Sequence, residues 1–483
     1  FNRGYFALAY EKKFLTLTLL AFFSIMSFHT VVGMRDAIVY SIENGASIVP
    51  FVRTYITLPT TFLVGAFYLS LQKRFGTTLT YSVVNWGLGS YFILYTLILI
   101  PNYSDWTISA EYAQTLRSAY PHFQHIINLI AHWPSAVFHV CAEVWSVYIF
   151  IILFWQVANE ATTKEEAEKY YPVIIFLMSF GTAMAAYPIH YMSKAMNPGL
   201  ALLSIIVPIS LTLSSIVFYI NRKWALDQQV VPLDHAPKEE SVSLISRIRR
   251  ALSQGISERV LYVSLSVMIF NLMMSLFDSC FWTRVSESAS GQNEVLAFYS
   301  QYTFYKGCAS LVAGMVNIYL INRMGWYFVL RITPIVSGLA INTMLFSYFP
   351  NNPIQLPETL TLMNSTYQIT HLITWVFAIG LLGSYACKFA FFDPAKEIMI
   401  KEMSSEDRRV AKVFADGFSG RAGKITGGVL QSLLLSFTAA QSVLEIAPLI
   451  FVVSIAASFI YMLAIYRLRP RQDEALDPAH AVG

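Results

Sequence analysis

Charged side chains are scarce in this sequence. Asp, Glu, Lys and Arg make up 13% of its 483 residues, roughly half the share carried by a soluble globular domain. A chain this long has the length for two or three soluble domains but lacks the charge to solvate them. Cysteine is rarer still. The four (Cys141, Cys280, Cys308 and Cys387) lie far apart inside apolar runs, with no CxxC or zinc spacing, so neither a disulfide framework nor a structural metal organises the chain. They read as buried thiols that pack like small hydrophobes. HExxH, GxSxG, kinase signatures and dense His/Cys clusters are also missing. The expectation is a protein that is not an enzyme and needs no cofactor or metal.

What is abundant is apolar surface. Hydrophobic residues reach 55% and aromatics 15%, and apolar stretches long enough to cross a hydrocarbon core of about 30 Å recur from end to end. We place about twelve spans near 14–33, 48–71, 78–100, 134–157, 170–193, 199–220, 259–283, 297–320, 325–349, 369–392, 410–438 and 441–466. The first run is too long for a signal h-region and is expected to be the first span; no Arg/Ser-rich transit segment is seen. The connections alternate in basicity. Roughly twenty Lys/Arg fall on one side and about three (Arg117, Lys194 and Arg284) on the other. Both termini are therefore expected in the cytoplasm of a multi-pass bacterial inner-membrane protein. The lipid bilayer is the implied partner, nucleic acid is not, and a monomer is the expected state.

The longest polar segment, 221–258, divides the spans evenly. Residues 1–220 and 259–466 are then two six-helix bundles, with 221–258 a cytoplasmic linker and 467–483 a cytoplasmic tail. Within the linker, Ile245, Ile248, Leu252 and Ile256 share one face beside arginines, the pattern of an interfacial helix or of a solvated linker helix. The halves echo each other. Lys73-Arg74-Phe75-Gly76 follows span 2, and Asn322-Arg323-Met324-Gly325 follows span 8, as expected of parallel repeats. The fold class expected is an all-α membrane protein of major-facilitator-like architecture.

Several charges fall inside this apolar sequence. The cations are Arg35, Arg53, Lys306, Arg331, Lys388, Lys412, Arg421 and Lys424; the acids are Asp36, Glu143, Asp278 and Asp416. An ionisable residue at membrane depth is costly and marks a pathway by default. Arg53, Lys388 and Lys412 lie near span ends, where snorkelling accounts for them equally well, and Arg35 beside Asp36 fits a local pair. The cationic surplus points to an anionic solute, and guanidinium forks suit phosphate oxygens. Trp86, Trp145, Trp155, Trp282 and Trp326 suit base stacking or interfacial anchoring. His139 sits one helical turn from Glu143 on the same face. The pair could carry a coupling proton, or the histidine could simply bond a helix carbonyl.

The stretch Gly417–Thr426 superficially resembles a phosphate loop. Phe418 stands where glycine is required and Ile425 where a magnesium-binding hydroxyl belongs, so it is not a Walker site.

Longer blocks carry a family likeness. They are Arg35-Asp36-Ala37-Ile38-Val39, Ile48-Val49-Pro50-Phe51-Val52-Arg53 with Leu58-Pro59, Ala142-Glu143-Val144-Trp145, Leu153-Phe154-Trp155, Ala158-Asn159-Glu160 and Ala167-Glu168-Lys169-Tyr170-Tyr171. The second half adds Gly325-Trp326, Arg331-Ile332-Thr333-Pro334, Phe392-Asp393-Pro394-Ala395-Lys396-Glu397 and Asp416 through Gly428. By these the chain resembles the bacterial and plastid nucleotide transporters, the ATP/ADP translocases unrelated to the mitochondrial carrier. The resemblance implies nucleotide exchange or uptake by alternating access. It marks the positions of Arg35, Glu143, an acid near Asp278, and Lys396 as needed for transport. This chain departs from the family where Arg35, Arg53 and Arg331 replace the usual lysine, where Asp278 replaces glutamate, and where Lys306 has no basic counterpart. Ile398-Met399-Ile400-Lys401 also departs from the usual Met-Ala-Tyr-Ile.

The site expected from these readings comprises Arg35, Asp36, Arg53, Glu143, Asp278, Lys306, Arg331, Lys396, Arg421 and Lys424. His139 and Glu143 are the candidates for proton coupling. ATP/ADP antiport is the leading function. Proton-coupled uptake of other nucleotides or NAD, and a non-transporting sensor or scaffold, stay open as alternatives.

Overall fold

The computed structural model describes residues 2–40, 42, 45–149, 154–162, 164–194, 212–213, 215–220, 223, 257–349, 359–362 and 365–469. Among them are nine helices long and apolar enough to cross a bilayer. One of these, Gln292–Phe346, is 55 residues long, or about 80 Å if straight. Gly325, at φ 76°, breaks it into two spans. Gly76, at φ 71°, makes the same break within Leu58–Leu94. A Cβ at either glycine would meet nothing within 4 Å, so the positive φ, not crowding, is what requires glycine there. These are the two turn glycines of the echoed loops.

The span expected at 410–438 is a π-helical segment, Lys412–Ser419, followed by the α-helix Gly420–Thr438; its charged first half keeps it out of a hydropathy scan. Most of the span expected at 199–220, the linker with its proposed interfacial helix, and the tail beyond 469 lie outside the described residues. The all-α architecture holds, with one addition outside the spans. Thr359–Leu362 (β1) pairs antiparallel with Ser365–Gln368 (β2).

The helices used below are α1 (Asn2–Tyr40), α2 (Gly45–Phe51), α3 (Leu58–Leu94), α4 (Gln124–Ala131), α5 (Trp133–Ser146), α6 (Lys164–Ser193), α7 (Glu258–Ser288), α8 (Gln292–Phe346), α9 (Ile369–Cys387), α10 (Asp393–Lys401), α11 (Gly420–Thr438) and α12 (Ala447–Arg467). The chain divides into two compact units. The first comprises Phe1–Lys238, Trp282–Leu311 and Ser432–Leu444; the second comprises Glu239–Phe281, Val312–Gln431 and Glu445–Gly483.

In the first unit α1 packs along α6 and α5. Between membrane helices the drive comes from close fit and hydrogen bonds, since lipid is as apolar as the core. Both are visible. Gly181 abuts Ile25 and Phe22, and Trp145 donates to Asn85, whose amide donates to Ser215 at 3.0 Å. Phe92, Tyr95 and Phe138 fill the space beside them. In the second unit α11 lies against α7 through Gly420, Gly423 and Gly427. A Cβ at Gly423 would fall 2.1 Å from the Met268 carbonyl oxygen, and one at Gly427 would fall 2.8 Å from Ser275 Cβ. The glycines of the string that resembled a phosphate loop are a helix-packing face. Outward-facing Leu63, Phe176, Ile379 and Phe459 leave apolar surface exposed, as a lipid-facing wall requires.

Among the described residues, π-helical turns interrupt the spans at Val52–Thr57, Tyr95–Leu99, 147–149, Lys388–Phe392 and Lys412–Ser419, and three contain a flagged cation, Arg53, Lys388 or Lys412. Three share a cause. The N–H of Leu58 reaches back to the Arg53 carbonyl, that of Ile100 to the Tyr95 carbonyl and that of Asp393 to the Lys388 carbonyl, and in each case the next residue is a proline, Pro59, Pro101 or Pro394. Proline gives no N–H and crowds the carbonyl four residues back, so the turn widens to an i→i+5 bond. Such bulges are frequent at functional sites because they rephase the helix around a chosen side chain.

Candidate functional site

The last turns of α1 carry Arg35 and Asp36, only 6% and 4% exposed. The Arg35 guanidinium folds back so that Nε donates to Asp36 Oδ1 at 2.8 Å, with Nη2 2.7 Å from the same oxygen. Its Nη1 donates to Glu143 Oε2 on α5. A buried guanidinium thus has a carboxylate on either side, which is what makes a cation tolerable at this depth. Arg53, half-buried on its π-turn, feels the charges of Arg35, Glu143 and Asp36. Spans 1, 2 and 4 therefore converge on two cations and two acids.

His139 is fully buried one turn before Glu143, and neither ring nitrogen has a hydrogen-bond partner among the described residues. The bond to a helix carbonyl weighed from the sequence is not formed. Arg35 and Arg53 both act on the ring electrostatically.

Aromatic side chains close over this group. The Tyr299 ring lies against Gly33, where a Cβ would fall 2.6 Å from its Cε1. Trp282 stacks on Tyr40 at 5.9 Å and 17°, and meets Tyr299 at 5.6 Å and Tyr302 at 5.5 Å. Trp282 is buried among these rings, as part of a wall and not as an open platform for a base. Lys306, half-buried on α8, acts electrostatically on the buried His29 of α1. It belongs to the first unit with Arg35.

The second unit holds the remaining candidates. Lys396 is buried on α10, its Nζ 3.5 Å from Glu397 Oε1. Lys388 pairs with Asp393 at 2.8 Å and lies over the Phe389 ring. Asp278 on α7 accepts a hydrogen bond from Tyr385 on α9, a partner sequence reasoning did not name. Arg331 is exposed and lies over its own helix neighbours Tyr327 and Phe328, at 5.0 and 5.6 Å. Arg421 and Lys424 are exposed on α11, three residues apart and flanking the glycine face. The side chains of Lys412 and Asp416 lie outside the described residues. Among the described residues no group of three or more His, Cys, Asp or Glu could hold a metal ion.

Chemically, the first unit holds a charge-balanced polar group enclosed by its helices; the second unit, taken by itself, holds further cations. It has no nucleophile–base pair, and its forks suit an anion with several oxygens.

Comparison with known proteins agrees with this picture. The sequence profile of a family described as TLC ATP/ADP transporter matches residues 7–471. A curated relative, the ADP,ATP carrier protein 4 of Rickettsia conorii (strain ATCC VR-613 / Malish 7), is 25% identical over 463 residues, covering 92% of this chain and 89% of that one. Among solved structures, a bacterial homologue of the iron transporter ferroportin in an inward-facing state superposes with a TM-score of 0.59 at 13% identity, covering 96% of this chain and 99% of that one. The nucleoside transporter NupG gives 0.54 at 14% identity, covering 94% and 98%. At these identities the two solved structures speak for the fold alone, a major-facilitator-like one.

Proposed function

This chain belongs to the TLC ATP/ADP transporter family, and from that premise we propose that it carries nucleotides across a membrane, exchanging ATP for ADP by alternating access. The observation that carries the reading is the buried Arg35, held between Asp36 and Glu143 with Arg53 in reach. A phosphate oxygen arriving at Arg35 takes the place of the Glu143 carboxylate, because the Asp36 pair on the same helix is the more enclosed of the two. The displaced carboxylate stays in the field of Arg53, so it is not left without a cation in the membrane. Nucleotide release reverses the handover. Protonating His139 would set a third cation beside Arg35 and Arg53, so the geometry favours exchange over proton coupling.

In this reading Lys396, Lys388, Arg421 and Lys424 are the second unit's candidate phosphate contacts, and Asp278 and Tyr385 form an acid–hydroxyl pair suited to gating. Arg331, exposed over aromatic rings, has the weakest claim on the substrate. The basic asymmetry of the loops supports cytoplasmic termini in a bacterial inner membrane, with residues 1–220 and 259–466 as the two rocking bundles and a monomer as the working unit.

The test is uptake of labelled ATP into cells making the chain, with and without preloaded ADP. Acceleration by ADP is expected. Accumulation without a counter-substrate that collapses with an uncoupler would replace exchange with proton-driven uptake. Absence of flux across a nucleotide panel would revive a sensor or scaffold.

A further inference from the structure

The end of the first unit remote from the basic loops is held by contacts to backbone carbonyls beyond α11. The loop between spans 3 and 4 carries α4, and four hydrogen bonds from three side chains at its start lead to that backbone. His122 Nδ1 donates to the Ser436 carbonyl at 2.8 Å. Gln124 Nε2 donates to Ala439 and Ala440 at 2.9 and 3.0 Å. His125 Nε2 donates to Ala440 at 2.8 Å. Ala439 sits at φ 52°, a left-handed conformation that an alanine holds only when its surroundings impose it.

His125 differs from its neighbours because it also reaches the other way. It is 1% exposed, its ring stacks on Phe51 at 5.4 Å, and its Nδ1 lies 2.8 Å from Ser47 Oγ. A carbonyl can only accept, so Nε2 carries the proton and the neutral ring accepts from the serine at Nδ1. One ring thus joins α2 to the chain after α11, segments more than three hundred residues apart. Helix α2 runs directly into the π-turn that bears Arg53, six residues from Ser47, or about 9 Å along the axis. The same end is closed further by Ser286 donating to the Tyr40 carbonyl at 2.6 Å and by Ser442 donating to Glu287. Beneath lies a cavity of about 290 Å³ lined in part by Ser47, Thr283, Ser286 and Gln441.

We propose that His125 is a gate-positioning residue: by tying Ser47 to Ala440 it keeps this end of the transporter shut, on the helix whose next turn carries Arg53. The closed contact is a property of the fold and stands independently of which solute is carried.

The experiment uses the full chain with its four cysteines replaced and Thr283→Cys introduced as a probe; Thr283 is 2% exposed. Modification by a membrane-impermeant maleimide is timed in intact cells and in inverted vesicles. Losing one well-formed buried hydrogen-bond bridge shifts a closed–open balance by about tenfold. His125→Ala is therefore expected to raise the modification rate about tenfold from one face only. His125→Gln, whose amide can both donate to Ala440 and accept from Ser47, should stay within about twofold of the parent. Should His125→Ala fail to reach the membrane, Ser47→Ala removes the inner half of the bridge and should give a smaller rise. An unchanged rate in a membrane-inserted His125→Ala, or in Ser47→Ala where that variant decides, overturns the proposal. So does an equal rise from both faces, which would mean general loosening. Because labelling needs no nucleotide, failure of the exchange assay leaves this result standing, and the reverse holds too.

Discussion

Replacing Glu143 with glutamine separates the handover account from one in which the glutamate merely neutralises Arg35. The glutamine oxygen can still accept from Arg35 Nη1, and the Arg35–Asp36 pair, at 2.7 Å, is untouched. The fold should therefore survive with a loss of about 1 kcal/mol, the difference between a charge-assisted and a neutral hydrogen bond. That same difference no longer opposes an incoming phosphate. At about 1.4 kcal/mol per tenfold, the apparent KM for ATP should fall by about five- to tenfold. The maximal exchange rate should fall by at least as much, because no carboxylate is left to displace the phosphate on release. The assay is initial-rate uptake of labelled ATP over a concentration series in ADP-loaded cells, normalised to protein in the membrane. A KM that rises with the maximal rate unchanged would refute the reasoning, since it would make Glu143 a direct substrate contact. Unchanged values of both would remove Glu143 from the mechanism.

Three further outcomes follow from the packing and the turns. Gly423→Ala places a Cβ 2.1 Å from a backbone oxygen on α7 and should cost about 2 kcal/mol or more, read as a lower melting temperature in detergent; Gly314→Ala, with nothing within 4 Å, should leave it unchanged or slightly raised. Pro59→Ala restores the N–H that the π-turn lacks; relaxation toward regular α-helix would rotate Arg53 by about 100°, and exchange should drop severalfold while the amount of inserted protein holds. Lys306→Gln should alter the ranking of nucleotides in a competition panel more than the maximal rate, because Lys306 acts on the buried His29 of α1; an equal loss for every nucleotide would make it a general determinant of transport instead.

How much of this was readable from the sequence depends on the kind of signal. Spans were readable because each must satisfy its backbone internally over about twenty apolar residues. The loop glycines were readable because Gly76 and Gly325 recur with the same neighbours, and both adopt positive φ. Arg35 and Asp36 were readable as a local pair. The bond from Arg35 to Glu143 crosses 108 residues, so no spacing rule reveals it, although family likeness had singled out both partners. Hydropathy gives the depth of a charge but not its direction around the helix. That is why Arg331 stood equal to Arg35 in the sequence and proves exposed over Tyr327. The π-turns were hidden because a single widened turn barely disturbs a periodic pattern, although a proline six residues after a cation within a span, as at Pro59 and Pro394, was a usable sign. His125 was overlooked for a different reason. Its loop is too short and polar to register as a span, and the sign it does carry is a short helix with an apolar face and nearby histidines, a pattern of docking.

The central claim, exchange of nucleotides at an enclosed charge-balanced site, is tested most directly with purified chain in liposomes of neutral internal buffer. Labelled ATP is added outside, with ADP, AMP or no nucleotide inside. The account expects uptake with internal ADP at least tenfold above that of empty liposomes, insensitive to a proton ionophore, and lost in Arg35→Lys/Glu143→Ala. Equal uptake with and without internal nucleotide, or uptake abolished by the ionophore, would contradict it.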